Sequence, residues 1–403
     1  MSDAPRGPAR FVVGIYLGTT NSAVAWAKPG GEARVQPFAV RQLVAEGEVL
    51  PRPSLPSAIY LAGEHDVPAG TLALPWHDDR RRVVGTLARR LGDRVAGRLV
   101  TSAKSWLCHG GVDRTAAILP WGGDPGVVKL SPVAASAGVL EHLREAWDAE
   151  HPDALLASQE IVLTVPASFD EVARELTVEA ARRAGLRMEQ LTLVEEPQAA
   201  FYHWLAEHAR LGEEVDAGEL IFVCDIGGGT TDFTLIQVHK QKGQKGSEKK
   251  ISFNRSAVGD HILLGGDNMD LALARRVEQG LQSGGGRLGA HLFSGLVQAC
   301  RQAKEKLLDA QPPERYSVHI AGRGSKLIGG GITAELRRDD VERVLLDGFF
   351  PRIAKDAEPQ KSRVALTEFG LPYAADPAVT RYIAAFLRQH HAVPTTVLFN
   401  GGV

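Results

Sequence analysis

The chain has 403 residues, with 46 basic against 48 acidic side chains and a formal net charge of −2. This length exceeds the size at which one hydrophobic core keeps growing, which predicts two lobes. The balanced charge argues against nucleic acid or an anionic membrane surface as the main partner, because both require a cationic face. No apolar run approaches the ~20 residues of a membrane span. The polar N-terminus also lacks the apolar core of a signal peptide.

The three cysteines, Cys108, Cys224 and Cys300, are widely spaced and do not form CxxC pairs. They indicate neither a disulfide framework nor a zinc site, which is typical of a reducing compartment. We therefore expect a cytoplasmic protein in which Cys224 and Cys300 are small core residues.

The first predicted element is a β-hairpin. Phe11–Leu17 forms a buried strand, Gly18-Thr-Thr-Asn21 a tight turn, and Ser22–Trp26 the returning strand. Residues 30–75 are rich in Pro and Gly and predict irregular strands and loops. Apolar residues at helical spacing predict helices over 80–91 and 137–151.

A strand–helix–strand–helix order follows, which predicts a sheet with parallel pairing. Its elements are a strand over 160–165 that ends at Pro166, a helix over 171–184 between an Asp170 cap and Gly185, a strand over 191–194, and a helix over 199–205.

The second half opens with another hairpin, whose strands cover 219–224 and 232–238 around the turn Asp225-Ile-Gly-Gly-Gly-Thr-Thr231. Because Gly-Thr-Thr again follows an apolar strand, we expect two lobes of similar topology. The remaining elements are helices over 268–282, 295–308 and 340–353, a strand over 316–320, and a final strand from 396 that runs into a glycine pair. The basic segment 239–250 is interpreted as a solvated hairpin tip in preference to an anion-binding patch.

Glycine turns with hydroxyl side chains suit phosphate, because glycine lets backbone N–H groups approach the oxygens and threonine adds donors. Two such turns in related hairpins are stronger evidence than one, and we expect them to hold a polyphosphate. The complete GxxxxGK[ST] pattern of a P-loop is absent, and no GxGxxG opens a helix after the first strand.

Carboxylates accompany these turns. Asp225 ends an apolar strand, where it can hold Mg²⁺ through water. Glu196 can orient a water, although a helix-start carboxylate favoured by the helix dipole explains it equally. The amides that follow Gly265 and Gly266 can meet an anion at a helix start. The competing interpretation is a plain N-cap supplied by Asp267 or Asn268.

These motifs resemble the 70-kDa heat-shock (DnaK-like) chaperone family. The similar segments are Val13–Ser22 and Asp225–Asp232 for its two phosphate loops, Thr164–Phe169, Ala184–Leu186 and Glu195–Ala200 for its first connecting segment, Leu264–Asn268 for the glycine pair leading into lobe II, and Asn400–Gly402 for its adenosine loop. The resemblance implies an α/β, actin-like ATPase fold with ribonuclease H-like duplicated lobes and ATP in the central cleft. Lobe I is then expected over 1–205, lobe II over 206–380, and a return to lobe I over 381–403.

The resemblance also implies site residues. The catalytic residues are then Asp225, Glu196, Arg89 and Thr230, and the metal residues are Asp225, Asp232 and Glu196, with Mg²⁺ as the ion and K⁺ as a further candidate. The nucleotide residues are then Gly18, Thr19, Thr20, Asn21, Gly227, Gly228, Gly229, Thr230, Gly265, Gly266, Arg301, Lys304, Glu305, Leu308, Gly401 and Gly402.

Several positions depart from the family pattern. Tyr16 stands where the family has an aspartate, and Arg89, aligned by Gly85, stands where it has the catalytic lysine. Arginine keeps the charge but differs in shape and donor geometry. On the helix expected beside the adenine, Arg301 and Glu305 exchange the usual charges and Leu308 replaces a serine.

We therefore expect a chaperone ATPase whose ATP state controls peptide binding by a C-terminal domain that this sequence lacks, which suggests a fragment. The alternatives are a nucleotide switch whose hydrolysis is impaired by Tyr16 and a small-molecule kinase of the same superfold. The family further implies peptide clients, a J-domain co-chaperone, a nucleotide-exchange factor and a monomeric state, without nucleic acid or membrane.

Overall fold

The fold is described from a computed structural model, which covers residues 9–30, 34–78, 80–123, 126–211, 216–240, 251–281, 288–320, 332–360, 366–368 and 370–402. The chain divides into two compact units, one formed by 1–92 with 98–199 and the other by 93–97 with 200–403. Most of the basic segment 239–250 lies outside the described residues.

The first unit contains a mixed sheet and the helices that cover it. Its strands are β1 (Val12–Leu17), β2 (Asn21–Ala27), β3 (Gln36–Phe38), β4 (Val40–Ala45), β5 (Glu48–Arg52), β6 (Leu55–Pro56), β7 (Ile59–Leu61), β8 (Arg82–Val84), β9 (Leu99–Val100), β10 (Glu160–Val165) and β11 (Leu191–Glu195). Its helices are α1 (Thr86–Arg94), α2 (Ala103–Cys108), α3 (Pro132–Glu150) and α4 (Glu171–Arg183), and α5 (Glu196–Leu211) begins here and continues into the second unit.

The main sheet of this unit has the order β11-β10-β1-β2-β3. Strand β1 pairs antiparallel with β2 and parallel with β10, so the predicted hairpin and the predicted parallel pairing are both confirmed. The Asp170 side chain accepts the N–H of Ala173 at 2.7 Å and begins α4 as predicted. Gly185 follows the helix with a φ of +83°, a conformation that glycine adopts without steric cost.

The second unit contains the other hairpin. Its strands are β12 (Leu220–Ile226), β13 (Thr231–Lys240), β14 (Ile251–Val258), β15 (Arg315–Ile320), β16 (Ile332–Arg337), β17 (Leu366–Glu368), β18 (Leu371–Tyr373) and β19 (Thr396–Gly401). Its helices are α6 (Gly266–Leu281), α7 (Ala290–Leu307), α8 (Arg338–Gly348) and α9 (Val379–Gln389). The main sheet has the order β14-β13-β12-β19, with β12 antiparallel to β13 and parallel to β19.

Both faces of this sheet are covered, which explains why β12 is apolar throughout. Phe222 and Cys224 pack into a core with residues of α6, α7, α8 and α9. On the opposite face, Ile221 and Val223 pack with Phe201 of α5. Side chains of a strand alternate between the two faces, so a strand buried on both needs a continuous apolar run.

Three predictions are corrected. The helical spacing over 80–91 begins as strand β8, because Gly85 has a φ of +97° and separates this strand from α1. Residues 381–403, expected to return to lobe I, lie in the second unit, where β19 extends the sheet beside β12. The third helix of that half ends at Gly348 and not at residue 353.

Candidate functional site

The first Gly-Thr-Thr turn is held from below by the backbone and side chain of Ser57. The Ser57 Oγ donates to the carbonyl oxygen of Gly18 at 2.7 Å, and its N–H donates to that of Thr20 at 2.9 Å. A Cβ on Gly18 would collide with the carbonyl oxygen of Asn21 and lie 2.6 Å from a ring carbon of Tyr16. The turn therefore requires glycine, and its shape is fixed before any ligand binds.

Arg89, predicted as a catalytic residue, lies beside the same turn. From the third turn of its helix α1, its Nη2 donates to the carbonyl oxygen of Thr20 at 2.7 Å and lies 3.3 Å from Asn21 Oδ1. These contacts give Arg89 a positioning role for the first turn.

A cation that the sequence analysis missed lies deeper in this unit. The Lys104 ammonium, on α2, pairs with the Glu196 carboxylate, and the two residues are only 7% and 6% exposed. Glu196 is the first residue of α5, where the helix dipole favours a negative charge. A lysine inside the apolar run Ala103-Lys-Ser-Trp-Leu-Cys108 is unusual, and this was the available sequence signal.

Tyr16 belongs to the same group of side chains. The Lys104 ammonium lies 5.4 Å from the centre of the Tyr16 ring, within the range of a cation–π interaction. The first unit thus brings Tyr16, Lys104 and Glu196 together, at the strand that leads into the first Gly-Thr-Thr turn. The position where the family has a carboxylate here carries the electron-rich face of a ring under an ammonium group.

The second turn is flanked by two buried carboxylates. Asp225 and Asp232 are directly opposite each other in the β12–β13 pair, and both are buried. Asp225 Oδ2 accepts Asn400 Nδ2 at 2.9 Å, and Asp232 Oδ1 lies 3.2 Å from His261 Nδ1. Like charges opposite each other destabilise a sheet, and carboxylate oxygens are ligands that Mg²⁺ prefers. The donor set therefore fits a divalent cation.

Two carboxylates form an incomplete ligand set. Among the described residues, no group of three or more His, Cys, Asp and Glu side chains converges as a metal site. Ligands that the chain does not supply would be water or phosphate oxygens, as is usual for Mg²⁺.

The glycine pair at the start of α6 has a different role from the predicted one. The Gly266 N–H donates to the carbonyl oxygen of Gly227 at 3.1 Å, and the Asp267 N–H to that of Gly228 at 2.6 Å. The Gly265 N–H donates to Asn268 Oδ1 at 2.9 Å. These amides thus have protein acceptors, and the predicted contact with an anion is replaced by docking of the second turn onto α6. Asp267 and Asn268 lie inside the helix and not at its cap position.

Arg301 and Lys304 of α7, predicted to contact the nucleotide, pair with carboxylates of α6. Arg301 Nε donates to Asp270 Oδ2 at 2.7 Å, and Lys304 Nζ lies 2.8 Å from Asp270 Oδ1. Arg301 also pairs with Asp267. Burial alone lowers the pKa of Arg301, but Asp267 and Asp270 outweigh it and raise that pKa above its ordinary value. The charge of Arg301 is thus matched by Asp267 and Asp270, not by Glu305 as the exchanged charges suggested.

The remaining predicted residues lie at exposed or strand-end positions. Glu305 and Leu308 are exposed at the end of α7. Gly401 pairs with Ile226, and its φ of +104° requires glycine because a Cβ would collide with the Ile226 carbonyl oxygen. The Gly402 N–H donates to the same oxygen at 3.3 Å.

Comparison with known proteins identifies the family. A family model described as "Hsp70 protein" matches residues 82–354, which is more than half of the chain. The chain is 31% identical over 313 residues to the "Chaperone protein HscA homolog" of Pseudomonas putida, covering 75% of this chain and 42% of that protein. The corresponding protein of Ralstonia nicotianae is 32% identical over 353 residues (83% and 48%), and that of Variovorax paradoxus is 33% identical over 348 residues (82% and 46%).

The chain therefore spans less than half the length of these curated relatives. In the part of the chain that the structure describes, no helix has the length and apolar character needed to cross a membrane. The glycine turns, the α/β sheets and the family match agree with one another, and the chain belongs to the Hsp70 family of chaperone ATPases with their actin-like fold.

Proposed function

We propose that this chain binds Mg-ATP through its two Gly-Thr-Thr turns and hydrolyses it slowly. The observation that carries the proposal is the pair of buried carboxylates, Asp225 and Asp232, on the hairpin that bears the second turn. Two like charges in this position gain most from a bound divalent cation, and Mg²⁺ brings the phosphates of ATP with it.

The phosphate contacts are assigned by turn. Thr19, Thr20 and Asn21 would contact phosphate in the first turn. In the second turn, backbone amides of 227–229 and the Thr230 hydroxyl would do so. Asp225 and Asp232 would hold Mg²⁺, which supplies neutralisation of phosphate charge when bound. The sequence resemblance supports these assignments.

The hydrolytic residues are assigned from the buried ion pair. Glu196 would orient the attacking water, and Lys104 would supply the positive charge that the family takes from a lysine. Lys104 fits this role better than Arg89, because its ammonium already lies against the Glu196 carboxylate while Arg89 donates to the first turn. Lys104 also holds the carboxylate ionised in a buried position.

Tyr16 favours a second candidate, a nucleotide switch that binds ATP and barely hydrolyses it. The Tyr16 ring lies under the Lys104 ammonium, where a carboxylate would add a second negative charge beside Glu196. Without that carboxylate, one anchor for the water shell of a metal is missing.

Single-turnover hydrolysis of Mg-ATP, with binding measured separately by calorimetry, tests both candidates. We expect Lys104→Met to reduce the hydrolysis rate by at least about 100-fold, which is the usual scale for a lost electrostatic stabiliser. The exposed Lys306→Met is the matched control and should hydrolyse at the wild-type rate. A Tyr16→Asp variant that hydrolyses much faster than wild type supports the switch, and equal substantial rates remove the case for it. No Mg-ATP binding by the wild type contradicts the whole proposal.

We also infer, from the family alone, that the ATP state controls peptide clients together with a J-domain co-chaperone and an exchange factor. Acceleration of single-turnover hydrolysis by an added J-domain protein would support this proposal. A rate that is independent of the J-domain protein would count against it for this chain.

A further inference from the structure

The second unit contains a cavity of about 790 Å³ that no predicted site residue lines except through its neighbours. Its walls are the end of β13 and the loop after β14, the segment before the β17–β18 hairpin, the end of that hairpin, and α9. Small-molecule sites in proteins have volumes of roughly 300–1,000 Å³. The cavity is therefore large enough for an organic ligand.

Aromatic rings form the apolar part of this cavity. Phe233 and Phe386 are buried, and their ring centres lie 5.6 Å apart at an angle of 41°. Tyr382, half-buried on the preceding turn of α9, adds a third ring to the lining. Ring faces of this kind accept either the flat body of an aromatic ligand or a cation.

The charge of the lining favours a cation. The described residues that line the cavity include two carboxylates, Asp260 and Glu358, and neither lysine nor arginine. Glu358 pairs with Arg388, which offsets its charge. Asp260 is exposed at the edge of the cavity, where it would meet the ammonium group of a ligand whose body lies on the rings.

One wall residue connects the cavity to the candidate metal carboxylates. His261 lines the cavity, and its Nδ1 lies 3.2 Å from Asp232 Oδ1. A ligand in the cavity therefore lies one side chain away from Asp232.

We propose that this cavity is a binding site for a small organic ammonium compound with an aromatic body. The rings of Phe233, Phe386 and Tyr382 bind the body, and Asp260 binds the charge. The proposal does not depend on ATP hydrolysis, and its test measures binding alone.

Two probes of the same ring and chain length but opposite charge test the proposal. Calorimetric titration of the full chain with tryptamine should show saturable binding with one site, and indole-3-propionate should bind at least about tenfold more weakly because its carboxylate faces Asp260. The Asp260→Asn variant, altered at an exposed position, should weaken tryptamine about threefold, which is the scale of one exposed cation contact. Asp356→Asn, exposed on the same segment but outside the lining, is the matched control and should bind as wild type does.

Ala385→Trp, which places an indole in the cavity from α9, should abolish the binding of tryptamine. If this variant does not fold, the two probes and the Asp260→Asn variant still decide the outcome. The absence of saturable tryptamine binding up to its solubility limit overturns the proposal. Equal affinity for the two probes, or unchanged affinity in Asp260→Asn, also overturns it.

Discussion

The Lys104 ammonium and the Glu196 carboxylate form an ion pair whose two side chains are almost completely removed from water. Helix α2 supplies the lysine and the first residue of α5 supplies the carboxylate. An ion pair in such surroundings is held by mutual neutralisation, because each charge alone would lack its hydration. This relationship connects the stability of the first unit with the residues proposed to hydrolyse ATP.

Removal of one partner of this pair should therefore destabilise the protein. We expect Lys104→Met to lower the free energy of unfolding by about 3–5 kcal/mol, since it leaves Glu196 buried and uncompensated. The double variant Lys104→Met/Glu196→Gln should lose less than the sum of the two single variants. Urea denaturation of the four proteins measures the coupling.

The matched control for this cycle is the exposed helix pair Arg183–Glu179, where Arg183→Met should leave the denaturation midpoint nearly unchanged. Additive effects of the two buried substitutions would show that Lys104 and Glu196 do not interact energetically.

The buried imidazole of His142 should make the stability of the protein depend on pH. Burial lowers the pKa of His142 to about 4, even though the carbonyl oxygen of Arg41 and the charge of Glu145 oppose this shift. The unfolded chain binds a proton below the ordinary value of 6.5, and the folded chain binds it only near 4. The contribution to stability is thus complete above pH 6.5 and is lost as the pH falls towards 4, by about 3 kcal/mol in total.

This loss is measured as the difference in unfolding free energy between about pH 7.5 and about pH 5, where His142 accounts for about 2 kcal/mol. In His142→Gln, which cannot titrate, the difference should be smaller by that amount. The exposed His65→Gln is the control and should keep the wild-type difference. An unchanged pH dependence in His142→Gln would falsify the assignment of this effect to His142.

Gly265 should not tolerate a side chain, because a Cβ there would collide with the carbonyl oxygen of Gly227 and lie 2.9 Å from that of Gly228. Gly265→Ala should displace the second turn from α6 and destabilise the protein by about 1–3 kcal/mol. We also expect weaker binding of Mg-ATP by calorimetry, because the turn amides move.

Gly280, near the end of the same helix, has open space where its Cβ would be. Gly280→Ala should therefore stabilise the protein by about 0.5–1 kcal/mol through its higher helix propensity, with unchanged nucleotide affinity. If the two alanine variants have equal stability, the close approach of α6 to the second turn does not constrain residue 265.

The three cysteines should differ in reactivity. Burial raises the pKa of the Cys224 and Cys300 thiols to about 12, and nearby Asp225 and Asp270, respectively, act in the same direction. Because the thiolate is the nucleophile, iodoacetamide at about pH 8 should modify only the half-buried Cys108 in the native protein. Mass spectrometry of the native and urea-unfolded protein measures this, with all three cysteines modified after unfolding. Labelling of Cys224 at the rate of Cys108 would contradict the expectation.

Much of the fold was predictable from local pattern. The two hairpins, the helix between Asp170 and Gly185, and the core position of Cys224 follow from apolar runs, capping residues and glycine, all of which act within a few residues. The prediction over 80–91 went wrong because short apolar segments fit a strand as well as a helix, and only the positive φ of Gly85 separates the two. The position of β19 was not predictable, since strand order depends on pairing between distant segments.

By itself, the sequence determined that two Gly-Thr-Thr turns follow apolar strands, and that Tyr16 and Arg89 stand at unusual positions, because these features lie within single hairpins and short helices. The tertiary structure alone decided what surrounds them. Lys104 reaches Glu196 from a segment 92 positions away in the chain. The amides of Gly266 and Asp267 are bound to the second turn, and Arg301 is neutralised by Asp267 and Asp270. The burial of a charge and the choice of its partner depend on which segments pack together, and residue spacing along the chain does not encode that packing.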